Sequence, residues 1–370
     1  MNELREVKRH STNTLAMSKY PGSQPHWVAD MSFGTPETVL EALKNRIDEG
    51  HFSYSAVSDS VYEAILHWCT TRYHWDIQRD WVVIVPTLMC GMEVGVKTVS
   101  SGQPLFYQRP NYSKLITLGQ SAGGHAYGIE LIHTRLPFSD SDLEAIKNTR
   151  PSAVILCNPA NPTGTVSTRE QLMAMADCVR DLDTVIISDE AHADFILDEC
   201  KHIPAGSIEG LQEKSITLLS PSKTFNLAGI AVAYAVIPSR ALRERFIAIQ
   251  KKSYARNNAL GLVALEHAYF HCSDWIDKLV VQLKRNQRHV HNALRHTSLE
   301  YYPSQATYLA WIDARQAGSD VFNRILHKGI SVCDGHEFGA PGWIRLNFAC
   351  PEKPLKKATD TLCELFGVSR

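Results

Sequence analysis

Three apolar runs in the middle of the chain are each followed directly by polar residues that can do chemistry. N-P-A-N-P-T-G (158–164) follows A-V-I-L-C, and D-E-A-H (189–192) follows T-V-I-I-S. Ser220, Ser222 and Lys223 come after I-T-L-L. An amide, a carboxylate, hydroxyls and an amine can together bind a phosphate-bearing cofactor that has a ring nitrogen and a carbonyl group.

Pyridoxal phosphate (PLP) needs the groups that these residues offer. A lysine amine forms a Schiff base with its aldehyde, and a carboxylate keeps its pyridine nitrogen protonated so that the ring withdraws electrons. A hydrogen-bond donor holds the phenolate oxygen, and an aromatic ring stacks on the pyridine. Backbone N–H groups at a helix N-terminus, together with hydroxyls, hold the phosphate. The pattern therefore indicates a PLP site.

The apolar runs have the length and composition of buried strands in a parallel sheet. We expect strands at Ala153–Cys157, Thr184–Ser188, Ile216–Leu219 and Trp81–Val85. Helices are expected between them, which predicts a doubly wound α/β unit. Because ligands of such sheets bind beyond the carboxyl ends of the strands, the polar residues should lie at one edge.

Helix signals follow two of these strands. Pro86 and Thr87 can start a helix whose first turn includes Leu88 and Met89. Ser167 and Glu170 have the spacing of a capping box and predict the start of the next helix.

The C-terminal third predicts a second, smaller lobe. A long helix is expected over 274–296, followed by strands at Tyr308–Ile312 and Trp343–Asn347. We expect a large PLP-binding domain over 46–274. A small domain would combine residues 1–45 with 275–370.

Charge and composition limit the partners of the chain. Its 370 residues have a net charge of −1 and a pI near 7.0, so no strong field attracts nucleic acid or a membrane. The N-terminus has no apolar signal segment, and no run reaches the length of a membrane span. The nine scattered cysteines are typical of reduced thiols. These features predict a cytoplasmic protein, and the lack of H-E-x-x-H and G-x-G-x-x-G motifs predicts neither a metal site nor a nicotinamide site.

Several of these segments resemble one known family. S-P-S-K-T-F-N-L-A-G (220–229) resembles the PLP-lysine motif of class I and II aminotransferases, and is most similar to the cystathionine β-lyase branch of MalY/PatB-like C–S lyases. N-P-A-N-P-T-G, I-S-D-E-A-H, W-V-A-D-M (27–31) and T-Y-L-A-W (307–311) resemble the same branch. The resemblance covers nearly the whole chain. It implies the aspartate-aminotransferase-like PLP fold type I, in which a mostly parallel seven-stranded sheet forms the large domain beside a smaller α+β domain.

The resemblance also implies roles at the cofactor ring. Lys223 would be the Schiff-base lysine and general base, Asp189 would pair with the pyridinium, and Asn161 would bind the phenolate oxygen. Tyr112, in R-P-N-Y, would stack on the ring and take part in catalysis. His192 would lie beside the ring or support Asp189.

Further roles concern the phosphate. Ser220 and Ser222, with the backbone of Leu88 and Met89, would bind it. Tyr54, in H-F-S-Y-S, would reach the phosphate and substrate of the neighbouring subunit in a homodimer.

Two residues outside the middle third complete the expected site. Arg345, in W-I-R-L-N, would bind the substrate α-carboxylate through both arms of its planar guanidinium. Asp30, in W-V-A-D-M, is expected to fix the N-terminal segment near the site entrance.

The resemblance implies α,β-elimination of cystathionine or another S-substituted L-cysteine to pyruvate, ammonia and a thiol. Many aminotransferases place a phosphate-binding arginine near the position of Gly229, whereas this chain has G-I-A-V-A-Y there, which favours a lyase. An amino-acid aminotransferase on the same scaffold is the first alternative. The second is a regulatory role through a protein partner. The sequence leaves open which thiol is the leaving group.

Overall fold

The computed structural model describes residues 3–7, 13–99, 104–121, 126–130, 138–253 and 256–367. Its helices are α1 (Leu15–Ser18), α2 (Glu37–Asp48), α3 (Asp59–Tyr73), α4 (Leu88–Val99), α5 (Ser113–Ser121), α6 (Asp140–Thr149), α7 (Arg169–Val179), α8 (Pro221–Thr224), α9 (Arg240–Lys252), α10 (Ala259–His271), α11 (Ser273–Leu294), α12 (Val321–His327) and α13 (Glu352–Phe366). Its strands are β1 (Gln24–Pro25), β2 (Val82–Val85), β3 (Leu105–Arg109), β4 (Ala126–Glu130), β5 (Ala153–Cys157), β6 (Val185–Asp189), β7 (Ser215–Leu219), β8 (Ala233–Val236), β9 (Glu300–Tyr301), β10 (Leu309–Asp313), β11 (Ile330–Ser331), β12 (Cys333–Asp334) and β13 (Trp343–Asn347).

A seven-stranded sheet in the order β2-β8-β7-β6-β5-β3-β4 forms the centre of the fold. Among the described strands of this sheet, only β8 runs against its neighbours, β2 and β7. The predicted mostly parallel sheet of an α/β fold is therefore confirmed. The four predicted strands are present as β5, β6, β7 and β2, with ends that differ by at most one residue.

The central strands are mostly apolar because helices cover both faces of the sheet. Every residue of β5, β6 and β7 is buried. Neighbouring residues point to opposite faces, so that Ile187 packs with Met92 of α4 and Ile186 packs with Val179 of α7 in separate hydrophobic clusters. A continuous apolar run is what a strand buried on both faces requires.

Helix α7 begins one residue later than its sequence signal predicts. The capping box is formed by Thr168 and Gln171, and the Ser167–Glu170 prediction is wrong. The reason is that the Ser167 N–H donates to Oδ1 of Asn158 at 2.9 Å, which holds Ser167 in the preceding loop.

The C-terminal region contains a four-stranded antiparallel sheet in the order β12-β13-β10-β9. Helix α11 precedes it, close to the predicted range 274–296. Strand β1, near the N-terminus, pairs in parallel with β11, so the first part of the chain joins this region. The boundaries between the expected large and small domains stay a prediction.

All nine cysteines lie in the described residues and none forms a disulfide. Within the same part of the chain, no helix is long and apolar enough to cross a membrane.

Candidate active site

The carboxyl ends of β5, β6 and β7 bring three predicted site residues to one edge of the sheet. Asp189 is the last residue of β6, the strand between β5 and β7, and it pairs in register with Cys157 and Leu218. The loop after β5 carries Asn161, and α8 after β7 carries Lys223. Because the three strands are parallel, their carboxyl ends lie at the same edge of the sheet and bring these side chains together.

Lys223 is a half-buried amine with a lowered pKa. Its Nζ donates to the carbonyl oxygen of Ala29 at 2.6 Å. Burial lowers the pKa of Lys223 to about 8, and the nearby charge of Arg345 acts in the same direction, while Asp30 and Asp189 oppose the shift. A lysine with this pKa has a much larger neutral fraction near pH 7 than an ordinary lysine, and the neutral amine is the nucleophile.

Asp189 is a buried carboxyl group at the centre of the edge. Burial raises its pKa to about 6, although the N–H of Ala191, 3.1 Å from Oδ1, and the charge of Lys223 favour the ionised form. A cationic N–H group placed against this side chain would keep it ionised.

Arg345 and Asn161 are joined across the site. Nη1 of Arg345 donates to Oδ1 of Asn161 at 2.8 Å, and Nη2 donates to the carbonyl oxygen of Trp27 at 2.7 Å. The guanidinium lies 4.6 Å from the centre of the Phe338 ring. Its Nε is buried and has no partner among the described residues. With the oxygen of Asn161 occupied, the amide nitrogen remains to donate to an acceptor such as a phenolate.

His192 is a buried and neutral histidine beside these groups. Burial lowers its pKa to about 3, and the charges of Lys223 and Arg345 add to the shift. Its ring meets that of Tyr308 edge to face at 5.6 Å, and within the described chain its Nδ1 is buried without a partner. His192 therefore offers a neutral ring to the site.

The residues predicted to bind phosphate lie at the starts of two helices. Leu88 and Met89 open α4, where the first N–H groups of a helix have no partner within it. Ser220 caps α8, and its Oγ is 2.7 Å from both Ser222 Oγ and the carbonyl oxygen of Val232. Ser222 Oγ lies farther from the same carbonyl oxygen, at 3.4 Å, so Ser222 is the better placed of the two to donate outward.

The two predicted tyrosines lie outside this buried group. Tyr112 is half-buried just before α5 and packs, like Leu88 and Met89, against the hydrophobic cluster of α4. Tyr54 is 85% exposed, and the guanidinium of Arg256 lies 4.7 Å from its ring centre. An exposed aromatic ring beside a cation agrees with a site shared between subunits, which stays a prediction.

The segment Trp27–Phe33, here called the strap, contains the W-V-A-D-M motif, and its role becomes clear from its contacts. Nδ2 of Asn347 donates to the carbonyl oxygens of Val28 and Asp30, at 2.6 Å each. Nδ2 of Asn226 donates to those of Met31 and Phe33. The strap is thus fastened through its backbone to the end of β13 and to the loop after α8, and it presents Ala29 to Lys223.

Two buried carboxyl groups behind the site were not predicted from the sequence. Glu190 contacts Nε2 of His202 at 2.8 Å and accepts from the hydroxyl of Ser188. Asp194 accepts from Thr224, the neighbour of Lys223. The acidic residues after Asp189 were visible in the sequence, but the resemblance gave a role only to Asp189 and none to Glu190 or Asp194.

A family model described as aminotransferase class I and II matches residues 28–362. Among curated proteins, cystathionine β-lyase PatB of Bacillus subtilis is 31% identical over 347 residues, which are 88% of this chain and 88% of the relative.

Solved structures agree over the whole length. The crystal structure of OvoB has a TM-score of 0.93 and 28% identity, with 100% of both chains covered. Cystalysin from Treponema denticola, whose structure contains a pyridoxal 5'-phosphate cofactor, has a TM-score of 0.92 and 26% identity, with 98% of both chains covered.

Proposed function

The chain belongs to the class I and II aminotransferase family, and we propose that it is a PLP-dependent carbon–sulfur β-lyase. The reaction is α,β-elimination of cystathionine or another S-substituted L-cysteine to pyruvate, ammonia and a thiol. The name of its relative PatB supports this activity. The observation that carries the proposal is that four side chains lie together at one edge of the sheet: Lys223, Asp189, Asn161 and Arg345.

The described residues fit PLP. Asp189 is a buried carboxyl group that a pyridinium N–H would keep ionised, and the amide nitrogen of Asn161 is available to the phenolate. Lys223 supplies an amine of lowered pKa. The N–H groups of Leu88 and Met89 suit a phosphate.

When bound, PLP draws electrons away from the substrate Cα and so makes its proton acidic. Lys223, once its amine is free and neutral, takes that proton, and its pKa near 8 suits a base at neutral pH. Arg345 holds the substrate α-carboxylate, and the contacts of its Nη atoms with Asn161 and Trp27 fix its plane. The strap keeps the Lys223 amine directed into the site through Ala29.

The reaction type is tested with purified, PLP-loaded protein and cystathionine in the absence of a keto acid. We expect sustained pyruvate release, with the absorbance of the lysine-bound cofactor restored after each turnover, because the elimination regenerates the starting enzyme. Pyruvate is measured by a coupled assay while the cofactor spectrum is recorded. If instead no pyruvate forms and the cofactor changes to a pyridoxamine-like band that only a keto acid reverses, the protein is an aminotransferase.

The lowered pKa of Lys223 predicts how the cofactor-free protein captures PLP. At pH 7 about a tenth of its amines are neutral, and the neutral fraction rises through half near pH 8 and then levels off. The rate of capture should follow this curve, whereas an ordinary lysine with a pKa of about 10.4 would keep accelerating to higher pH. Stopped-flow absorbance between pH 6 and 10 measures the rate of PLP capture. A rate that still increases above pH 9 would contradict the assignment.

We also propose that the enzyme is a cytoplasmic homodimer in which Tyr54 of one subunit reaches the phosphate and substrate of the other. Its exposed ring and its contact with Arg256 support this arrangement. Tyr112 is proposed to stack on the PLP ring and to assist catalysis. The division into a large domain over 46–274 and a small domain of the remaining residues is proposed with it.

A further inference from the structure

The segment from Arg109 to Lys114 contains Tyr112, the residue proposed to stack on the PLP ring, but the side chains of Arg109, Asn111 and Lys114 have no assigned role so far. Arg109 ends β3, at the same edge of the sheet as Asp189. The N–H of Asn111 donates to the carbonyl oxygen of Phe338 at 3.3 Å, and a Cβ on Gly339 would lie 4.0 Å from Cδ of Arg109. Because the Phe338 ring also lies against the guanidinium of Arg345, the Arg109 segment packs on the turn next to the expected α-carboxylate site.

Two buried donors of this segment have no acceptor within the described residues. They are Nε of Arg109 and Nδ2 of Asn111, whose side chain is only 1% exposed. The other end of the Asn111 amide is occupied, since Oδ1 accepts from the N–H of Tyr112 at 2.8 Å. Buried donors are nearly always paired in folded proteins, so two of them on one short segment suit an acceptor that a ligand brings.

The guanidinium of Arg109 is held in one orientation. Its Nη2 donates to the hydroxyl of Tyr107 at 3.0 Å, and its carbon lies 5.6 Å from the centre of the Tyr107 ring. Tyr107 is itself 2% exposed and belongs to the core. A planar cation fixed on a buried ring, with a donor still free, is suited to a carboxylate or another oxyanion.

The segment carries a second cation, Lys114, although the site also contains the carboxylates of Asp30 and Asp189. Lys114 lies near enough to Lys223 to lower its pKa, as Arg345 does. The acidic side chain of the adjoining turn, Glu337, is engaged by Lys19 at 3.0 Å. An anion bound to Arg109 would therefore have a second cation, Lys114, on the same segment.

We propose that Arg109, with Asn111 and Lys114, forms a second anion-binding subsite that recognises an oxyanion on the thiol portion of the substrate. The inference rests on the proposed lyase function and narrows it. The substrate class is an S-substituted cysteine that carries two anionic groups, with the α-carboxylate on Arg345 and the second group on Arg109. Simple S-alkyl cysteines, which have no second oxyanion, become the poorer substrates.

The test uses two substrates that differ in one group, S-(2-carboxyethyl)-L-cysteine and its uncharged analogue S-(2-carbamoylethyl)-L-cysteine. We expect the wild-type holoenzyme to prefer the acid in kcat/KM. Arg109→Ala should lower kcat/KM for the acid about 10- to 100-fold, the loss typical of one charged hydrogen-bond partner, and leave the amide within about threefold. Arg109→Gln, which keeps most of the side-chain length, should show the same selectivity.

Arg345→Lys is the contrasting variant, because it should weaken both substrates by a similar factor. Thermal unfolding of the Arg109 variants, expected near the wild-type temperature, shows that the fold is intact. Equal losses on acid and amide in the Arg109 variants, or no loss on either, would overturn the subsite.

A binding measurement separates this inference from the proposed function. Calorimetric titration of the holoenzyme with dicarboxylates from malonate to adipate, and with butyrate as the monocarboxylate, should show tighter binding of at least one dicarboxylate. That advantage should disappear in Arg109→Ala, and an unchanged advantage would refute the subsite. If the wild-type enzyme released pyruvate neither from these two substrates nor from cystathionine, the lyase proposal would fail, while the titration would still decide whether the subsite exists.

Discussion

Lys223→Ala is expected to lower the rate of pyruvate formation from cystathionine by at least about 10³-fold. The variant loses the amine that holds the cofactor and also the base that takes the substrate proton, and general base catalysis alone contributes roughly 10²- to 10⁴-fold. The absorbance band of the lysine-bound cofactor should disappear as well. Steady-state kinetics and the spectrum of the PLP-treated protein measure both effects.

The matched control for this variant is Lys251→Ala, which removes an exposed lysine at the end of α9 and should leave the rate and the spectrum unchanged. Lys223→Ala also removes the hydrogen bond to Ala29, but the side chains of Asn226 and Asn347 still fasten the strap. Circular dichroism and thermal unfolding should therefore show a folded protein. A Lys223→Ala enzyme that eliminates at close to the wild-type rate would remove the basis of the assignment.

Asp189→Asn is the second change with a large expected effect. Removing one partner from a buried ion pair typically costs about 3–5 kcal/mol, which corresponds to roughly 10²- to 10⁴-fold in turnover or in cofactor affinity. The amide cannot keep a ring nitrogen protonated, so electron withdrawal from the substrate Cα weakens. Asp189→Ala should bind PLP more weakly still and lose nearly all turnover.

Glu190→Gln is the comparison for Asp189, because it changes the next carboxyl group in the chain. Glu190 is engaged by His202 and by the Ser188 hydroxyl, so its loss should lower the unfolding temperature while PLP binding is retained. Equilibrium dialysis of PLP and thermal unfolding distinguish the two variants. An Asp189→Asn enzyme with wild-type turnover would exclude the role of this carboxylate at the ring nitrogen.

Local patterns were sufficient to predict the three strand-end residues. Asn161, Asp189 and Lys223 each follow an apolar run within a few positions, and a strand buried on both faces is nearly continuously apolar. Their proximity then followed from the parallel sheet, whose carboxyl ends share one edge. The observed pairing of β5, β6 and β7 has this arrangement.

Contacts between distant parts of the chain could not be predicted in the same way. Arg345 and Asn161 are 184 positions apart, and Lys223 and Ala29 are 194 positions apart. No local periodicity encodes which carbonyl oxygen a side chain meets after the chain has folded back. The strap was visible as W-V-A-D-M, and the asparagines that fasten it lie in S-P-S-K-T-F-N-L-A-G and W-I-R-L-N, but nothing in these motifs indicated that their side chains contact the strap.

The sequence by itself determined the α/β class, the strand ends that carry the amine, carboxylate and amide, and the cofactor that these groups suit. These properties depend on the types and spacing of neighbouring residues. Only the tertiary structure decided that Glu190 is engaged by His202, that Arg345 is held by Asn161, and that Arg109 presents a buried donor close to Gly339. Orientation, burial and pKa depend on what surrounds a side chain in space, and strands and turns from distant positions supply those surroundings.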